Sequence, residues 1–263
     1  MNPTYWHKQT ADQPLFPKLQ WSRPETKSQA GKLAIVGGNV HGFSAPAEAY
    51  NQSQRAGIGV ARVLLPLPVQ KLLPKGILEA DFAPSTPSGS FARKGLAELL
   101  DLASWADGTL LAGEFGRNSE TAILLEQFLQ KHRGQVTLTK DSVAYFLTSP
   151  ATMLQRPDTT AVLNFGQLQK LASSAHFASA FTSDMGLVQF VEALHDFTSQ
   201  HQLHILARHH ETFVVAVNGQ VSTTPLPKQP KLWCAAAAAH ASVWWLQNPA
   251  KPFEALTTSL LTT

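Results

Sequence analysis

Two acidic residues, Glu114 and Asp141, each follow an apolar run: LLAGE at 110–114 and VTLTKD at 136–141. If both runs are strands, the two carboxylates can face one cleft as a pair and hold or move a proton. Asp141 is the acid expected at the mouth of such a site, unless it serves to cap the helical turn that follows. A third run, LAIV at 33–36, breaks into Gly37-Gly38-Asn39 and continues to Ser44. Ligands of open parallel sheets sit beyond the carboxyl ends of strands, so this stretch is either a ligand-holding loop or a plain strand-to-helix turn. It is not a Walker A loop, because Phe43 stands where that motif needs its phosphate-binding lysine. The dinucleotide pattern GxGxxG is absent as well.

Other chemistry-bearing residues read as structural. His201, His204, His209 and His210 flank a strand without carboxylates at ligand spacing, so they read as polar surface and no metal site is recognised. No GxSxG elbow supports acyl hydrolysis. A single cysteine, Cys234, excludes an internal disulfide and a Cys-rich zinc site. His240, inside an alanine-rich stretch, reads as a packing residue.

Charged residues make up 15% of the 263, against a usual share of about 25%. That deficit predicts surface covered by a second copy, as a homodimer or homotetramer. The formal charge is +3, with both signs scattered and no basic stripe to neutralise a nucleic-acid backbone. The first residues are polar and lack a signal-peptide core. No run approaches the roughly 20 apolar residues needed to span a bilayer. The expectation is a cytoplasmic protein that binds neither nucleic acid nor membrane.

The elements that must position these residues follow an alternating pattern. Residues 1–30, with four prolines and two tryptophans, read as an extended arm lying on the domain or on a neighbour. Residues 31–263 read as one domain. Strands are expected at 32–37, 60–65, 108–112, 135–139 and 160–164. The intervening helices are expected at about 45–56 (Ser44 as N-cap, Gly57 past the end), 91–105 and from Asn118 or Ser119 to Gly134. The segment 67–90 reads as irregular. A helix over 186–200 precedes paired strands at 203–207 and 212–217, and WCAAAAAHASVWWLQ (233–247) reads as a buried helix. The sum is an α/β fold with a mostly parallel sheet covered on both faces.

The window Gly31–Pro66, GKLAIVGGNVHGFSAPAEAYNQSQRAGIGVARVLLP, resembles the opening of the ATP- or ADP-dependent NAD(P)H-hydrate dehydratases, a branch of the ribokinase-like superfamily. RPETKSQAGK (23–32), LLAGEFGRNSE (110–120) and VTLTKDSV (136–143) are similar to its later windows, in the expected order. The resemblance implies a ribokinase-like fold, ATP or ADP and an NAD(P)H-type dinucleotide as ligands, and binding residues at Gly37, Gly38, Asn39, Ser44, Ala45, Gly113 and Gly116. Ala45 and Gly116 match positions that touch the hydrated nicotinamide. Asn164 stands where the family has a substrate-contacting histidine. Arg208, beside the position of a family lysine, offers a cation or is an ordinary strand-end arginine.

The chain departs from the family where phosphoryl transfer is carried out. That chemistry resembles a kinase step: a Gly-x-Gly-Asp turn opens the long C-terminal helix, its N–H groups face the moving phosphoryl group, and its aspartate is the base. Here the corresponding stretch reads PKLWCAAAAAH, and no Asp or Glu occurs between Glu211 and Glu254. The expectation is a divergent homologue without that catalytic turn, acting as a non-catalytic nucleotide- or dinucleotide-binding or structural protein. The alternative is an active dehydratase or small-molecule kinase that uses Asp141.

Overall fold

Short apolar runs closed by glycine or proline supply the interior strands, and amphipathic segments between them cover the two faces. The computed structural model describes residues 3–73, 79–225 and 233–262. Ten strands form one sheet: β1 (Trp6–Lys8), β2 (Lys32–Gly37), β3 (Val60–Pro66), β4 (Ala80–Ala83), β5 (Gly108–Gly113), β6 (Gln135–Thr139), β7 (Thr159–Leu163), β8 (His204–His209), β9 (Thr212–Val217) and β10 (Gln220–Pro225). Their order is β1-β10-β9-β8-β7-β6-β5-β2-β3-β4. Only β9 runs against its neighbours β8 and β10; every other pairing is parallel.

Side-chain alternation divides the core into two layers. In β2, Ala34 and Val36 face one layer while Leu33 and Ile35 face the other. The first layer is closed by α3 (Leu96–Trp105), α4 (Ser119–Lys131), the short α5 (Asp141–Ala144) and α6 (Ala151–Gln155), α7 (Phe165–Ser174) and α8 (Leu187–Gln200). The second is closed by α1 (Pro17–Trp21), α2 (Ser44–Arg55), α9 (Trp233–Gln247) and α10 (Pro252–Ser259). No described helix is long and apolar enough to cross a membrane.

Several expectations need correction. The segment 67–90 is not wholly irregular, since β4 pairs with β3 as an edge strand after a short 3-10 turn at Leu67–Lys71. Beyond the expected strand at 212–217, the chain turns at Asn218-Gly219 into β10, an unexpected third strand of this group. Helices α7 and α10 were also not expected. Ser44 does not cap α2: it is the first helical residue, and Phe43 is the uncapped residue before it. The arm reaches into the sheet. Strand β1 pairs with β10, Trp6 is buried with its indole N–H on Thr223 Oγ1 at 3.0 Å, and the Tyr5 ring stacks on His195 at 3.6 Å.

The chain passes from β2 outward to β3 and β4, then returns to lay β5 on the other side of β2 and proceeds to β6 and β7. The strand order therefore reverses between β2 and β5. Loops leaving their carboxyl ends diverge there and open a crevice.

Candidate functional site

At this reversal the backbones of β2 and β5 come very close. A Cβ on Gly37 would sit 2.5 Å from the Gly113 carbonyl oxygen, and Gly38 N–H donates to that same oxygen at 2.9 Å. Glycine is required here by contact with backbone, which cannot give way. Gly113 itself has φ +97, and a Cβ there would meet Lys140 Cβ and Asp141 Oδ1 within 3 Å. Gly38 faces elsewhere: a side chain on it would run into Leu65 and Phe43, not into the crevice.

Asn39 is buried and fully engaged. Its amide donates to the Glu114 carbonyl at 2.6 Å and its oxygen accepts from His41 N–H at 2.7 Å. It ties the loop after β2 to the loop after β5.

Glu114 and Asp141 do not act as a pair on one proton. They follow adjacent strands, but their carboxylates turn to different donors. Glu114 accepts from Ser44 Oγ at 2.6 Å, Ala45 N–H at 2.9 Å and Lys140 Nζ at 3.1 Å. Burial would push its carboxyl up, yet the Ser44, Ala45 and Lys140 contacts outweigh that and hold it below the ordinary range. Asp141 accepts from the backbone N–H groups of Glu114 at 2.5 Å and Gly116 at 3.2 Å. Burial dominates at Asp141 and raises its carboxyl despite those bonds. Asp141 thus pins the β5 loop rather than capping only its own helix.

Two cavities flank Asp141 and Ala144. The larger, about 600 Å³, is lined by Gly116, Arg117, Asn118, Ser119, Ala122 and Tyr145 as well as these two. It lies over the N-terminus of α4, where the Asn118 side chain accepts from Glu120 N–H. Tyr145 donates its hydroxyl to the Gly116 carbonyl, and Arg117 is exposed and in no ion pair among the described residues. The smaller cavity, about 380 Å³, adds Lys140, Asn164, Gln167, Trp233 and Cys234. Asn164 is held there by a reciprocal capping box with Gln167 at the start of α7. Burial pushes the Cys234 thiol up to about 12, so it stays protonated at neutral pH.

Most sequence-expected residues converge: Asn39, Ser44, Ala45, Gly116 and Asp141 are joined through Glu114 in one hydrogen-bonded network, Gly37 and Gly38 pack against Gly113 beside it, and Asn164 lines the adjoining cavity. Arg208 stands apart near the end of β8, its guanidinium 5.9 Å from the Phe213 ring. The sequence reading missed Lys140, Tyr145, Gln167 and Arg117 as lining residues. Tyr145 had a readable signal, since it lies four residues after Asp141 and so on the same helical face. Two of the histidines expected at the surface are instead buried: His204 packs edge-on to Trp245, and His209 bonds the Met185 carbonyl and meets the His210 ring at 4.4 Å. No three His, Cys, Asp or Glu side chains converge as metal ligands among the described residues.

No protein-family model matches the chain, and no curated protein matches it in sequence. Solved structures do match in three dimensions. A ribokinase-like superfamily protein from Enterococcus faecalis superposes with a TM-score of 0.74 at 14% identity, over 100% of this chain and 88% of the other. The fold is ribokinase-like. The Bacillus subtilis ADP/ATP-dependent NAD(P)H-hydrate dehydratase, co-crystallised with ATP/Mg2+, shares this ribokinase-like fold at a TM-score of 0.58 and 12% identity, over 94% and 86% of the two chains. So does the Staphylococcus aureus pyridoxal kinase in complex with AMP-PCP and pyridoxal, at 0.53 and 12%, over 87% and 84%.

Proposed function

We propose that this chain is a divergent, non-catalytic relative of the NAD(P)H-hydrate dehydratases that binds a nucleotide or dinucleotide in the crevice between β2, β5 and β6. One observation carries the reading: both carboxylates at the crevice are already committed. Glu114 holds the start of α2 and the Lys140 ammonium, and Asp141 holds two backbone N–H groups. Glu114, held below the ordinary carboxylate range, is a poor base, and Asp141 has each oxygen tied to the loop backbone instead of being presented to a substrate hydroxyl. The start of α9 contributes Trp233 and a protonated Cys234 to the cavity wall and no acid. A cavity of about 600 Å³ falls within the range of small-molecule sites. Arg117, the N-terminus of α4 and the Tyr145 ring offer a phosphate and a ring the contacts they need.

A thermal-shift series with ATP, ADP, AMP, NAD and NADPH tests the binding, since any ligand of the native state stabilises it by mass action. At least one of these is expected to raise Tm, and hydrated NADH with ADP or ATP is expected to give no turnover above background. No shift with any nucleotide would sink the reading.

One observation favours the alternative of an active dehydratase or small-molecule kinase. Asp141 lines both cavities, and its raised carboxyl is the better proton acceptor of the two acids. Turnover that Asp141→Asn abolishes would establish that alternative in place of the first.

A further inference from the structure

The start of α2 is an anion-binding arrangement that already contains its anion. Ala45 N–H and Ser44 Oγ–H point at one carboxylate, and Lys140 adds an ammonium from a different strand end. The occupant is Glu114, reached across 70 residues of chain. Both ends of the ion pair hold unusual backbone: Glu114 has φ +62 and Lys140 has φ +55. Non-glycine residues persist in such conformations where surrounding contacts over-determine them. Here those contacts are the ion pair itself, the Asn39 amide on the Glu114 carbonyl and the Gln167 amide on the Lys140 carbonyl. Pro46 has no N–H, so the first turn of α2 presents few donors, and Glu114 takes the one at Ala45. Lys140 also lines the smaller cavity beside Asn164 and Cys234, which places its charge at the boundary between cradle and crevice.

We infer that Glu114 is a built-in occupant of an anion cradle made by Ser44, Ala45 and Lys140, and that it sets the charge specificity of this end of the crevice. A phosphate or carboxylate group on a bound molecule is turned away from the start of α2, because its donors are satisfied and a carboxylate stands in front of them. The end of the ligand nearest α2 must then be uncharged or cationic, and its phosphates must lie toward Arg117 and α4. This orientation rests on the reading that the crevice takes a nucleotide; the masked cradle does not.

The test removes the occupant. Glu114→Gly deletes the carboxylate and suits the φ of +62. Glu114→Gln keeps the side-chain shape but drops the charge, leaving Lys140 without its counter-ion. Inorganic phosphate is titrated against each protein by thermal shift and calorimetry, with chloride holding ionic strength constant. Glu114→Gly is expected to bind phosphate on the order of tenfold or more tighter than the unaltered protein, and Glu114→Gln to gain in the same direction by less. Equal or weaker phosphate binding by Glu114→Gly overturns the inference. If Glu114→Gly fails to fold, Glu114→Gln decides alone: a gain supports the cradle and no gain overturns it. A gain in phosphate binding beside a silent nucleotide series would leave the cradle standing and remove only the nucleotide reading.

Discussion

Gly37 and Gly38 are neighbours in sequence with opposite surroundings. Gly37 abuts the Gly113 backbone, whereas Gly38 abuts the side chains of Leu65 and Phe43. Gly37→Ala is expected to force β2 and β5 apart and lower stability by about 1–3 kcal/mol, the usual range for overpacking, measured by urea unfolding. Because β2 and β5 carry the crevice, nucleotide affinity should fall with it. Gly38→Val is expected to lower Tm while leaving affinity per folded molecule unchanged, since its side chain would enter the α2 side of the sheet. A lost affinity with unaltered Tm would contradict that placement. The strand-end glycines were legible from sequence because a break in an apolar run marks a loop. The role of Glu114 was not: its partners Ser44 and Lys140 lie on two other connections, and no local pattern encodes a meeting across the sheet.

Helix α9 shows how an element can be legible in outline and opaque in use. Its alanines were readable as a buried helix, and Ala235 to Ala239 are indeed buried between the sheet, α2 and α10. The small residues of α2 are covered by α9 of the same chain, with Ala45, Pro46, Ala49, Gln52 and Ser53 buried. His240 bridges the two helices, with Nε2 on Gln52 Oε1 at 3.2 Å and Nδ1 on Thr262 Oγ1 at 3.0 Å. Burial, reinforced by Arg23 and Arg55, pushes its pKa down to about 4, and burial alone does the same to His204. Both histidines stay neutral in the folded chain between about pH 4 and 6.5, while the unfolded chain takes up their protons. Stability should therefore hold above pH 6.5 and fall as pH drops toward 4, by about 1.4 kcal/mol per histidine per pH unit. Urea midpoints at pH 7.5, 6 and 5 give the measurement, and His240→Asn should reduce the slope. A flat profile over that range would refute the assignment. The missed strands share a cause: β4 (ADFA) is short and only half-buried, and β10 (QVSTTP) buries Ser222, Thr223 and Thr224, so neither shows the apolar period by which strands are recognised. Helix α7 is different, since Leu168, Leu171 and Ala172 do recur at helical spacing.

For the whole molecule, the low charge content remains the argument for a second copy, and we propose a homodimer or homotetramer. Trp21 on α1 is 89% exposed although the arm around it is anchored, and Leu67 and Leu72 stand out on the turn after β3. Light scattering at micromolar concentration is expected to give two or four times 28.6 kDa; the monomer mass would end the proposal. Trp21→Ser should weaken the assembly if α1 takes part in it. The α/β class, the parallel middle of the sheet and its two-sided cover were all legible, because interior parallel strands are apolar on both faces. The arm's place was not legible, since Trp6 and Gln9 find their partners, Thr223 and Thr257, more than 200 residues away.

That placement of β1 has a consequence in time. Strand β1 has its slot in the sheet only once residues 221–223 have been made and β10 has folded back on β9. At about 5–20 residues per second, that wait is on the order of ten to forty seconds. Throughout it, β1 lacks the strand it pairs with and Trp6 lacks Thr223, the acceptor of its indole N–H. Docking of β1 is thus a late event, one that covers Val221 to Thr223 of β10, an edge otherwise free to pair with another chain. A protein missing residues 1–9 should still form the crevice, yet refold with more aggregation, the loss growing with protein concentration.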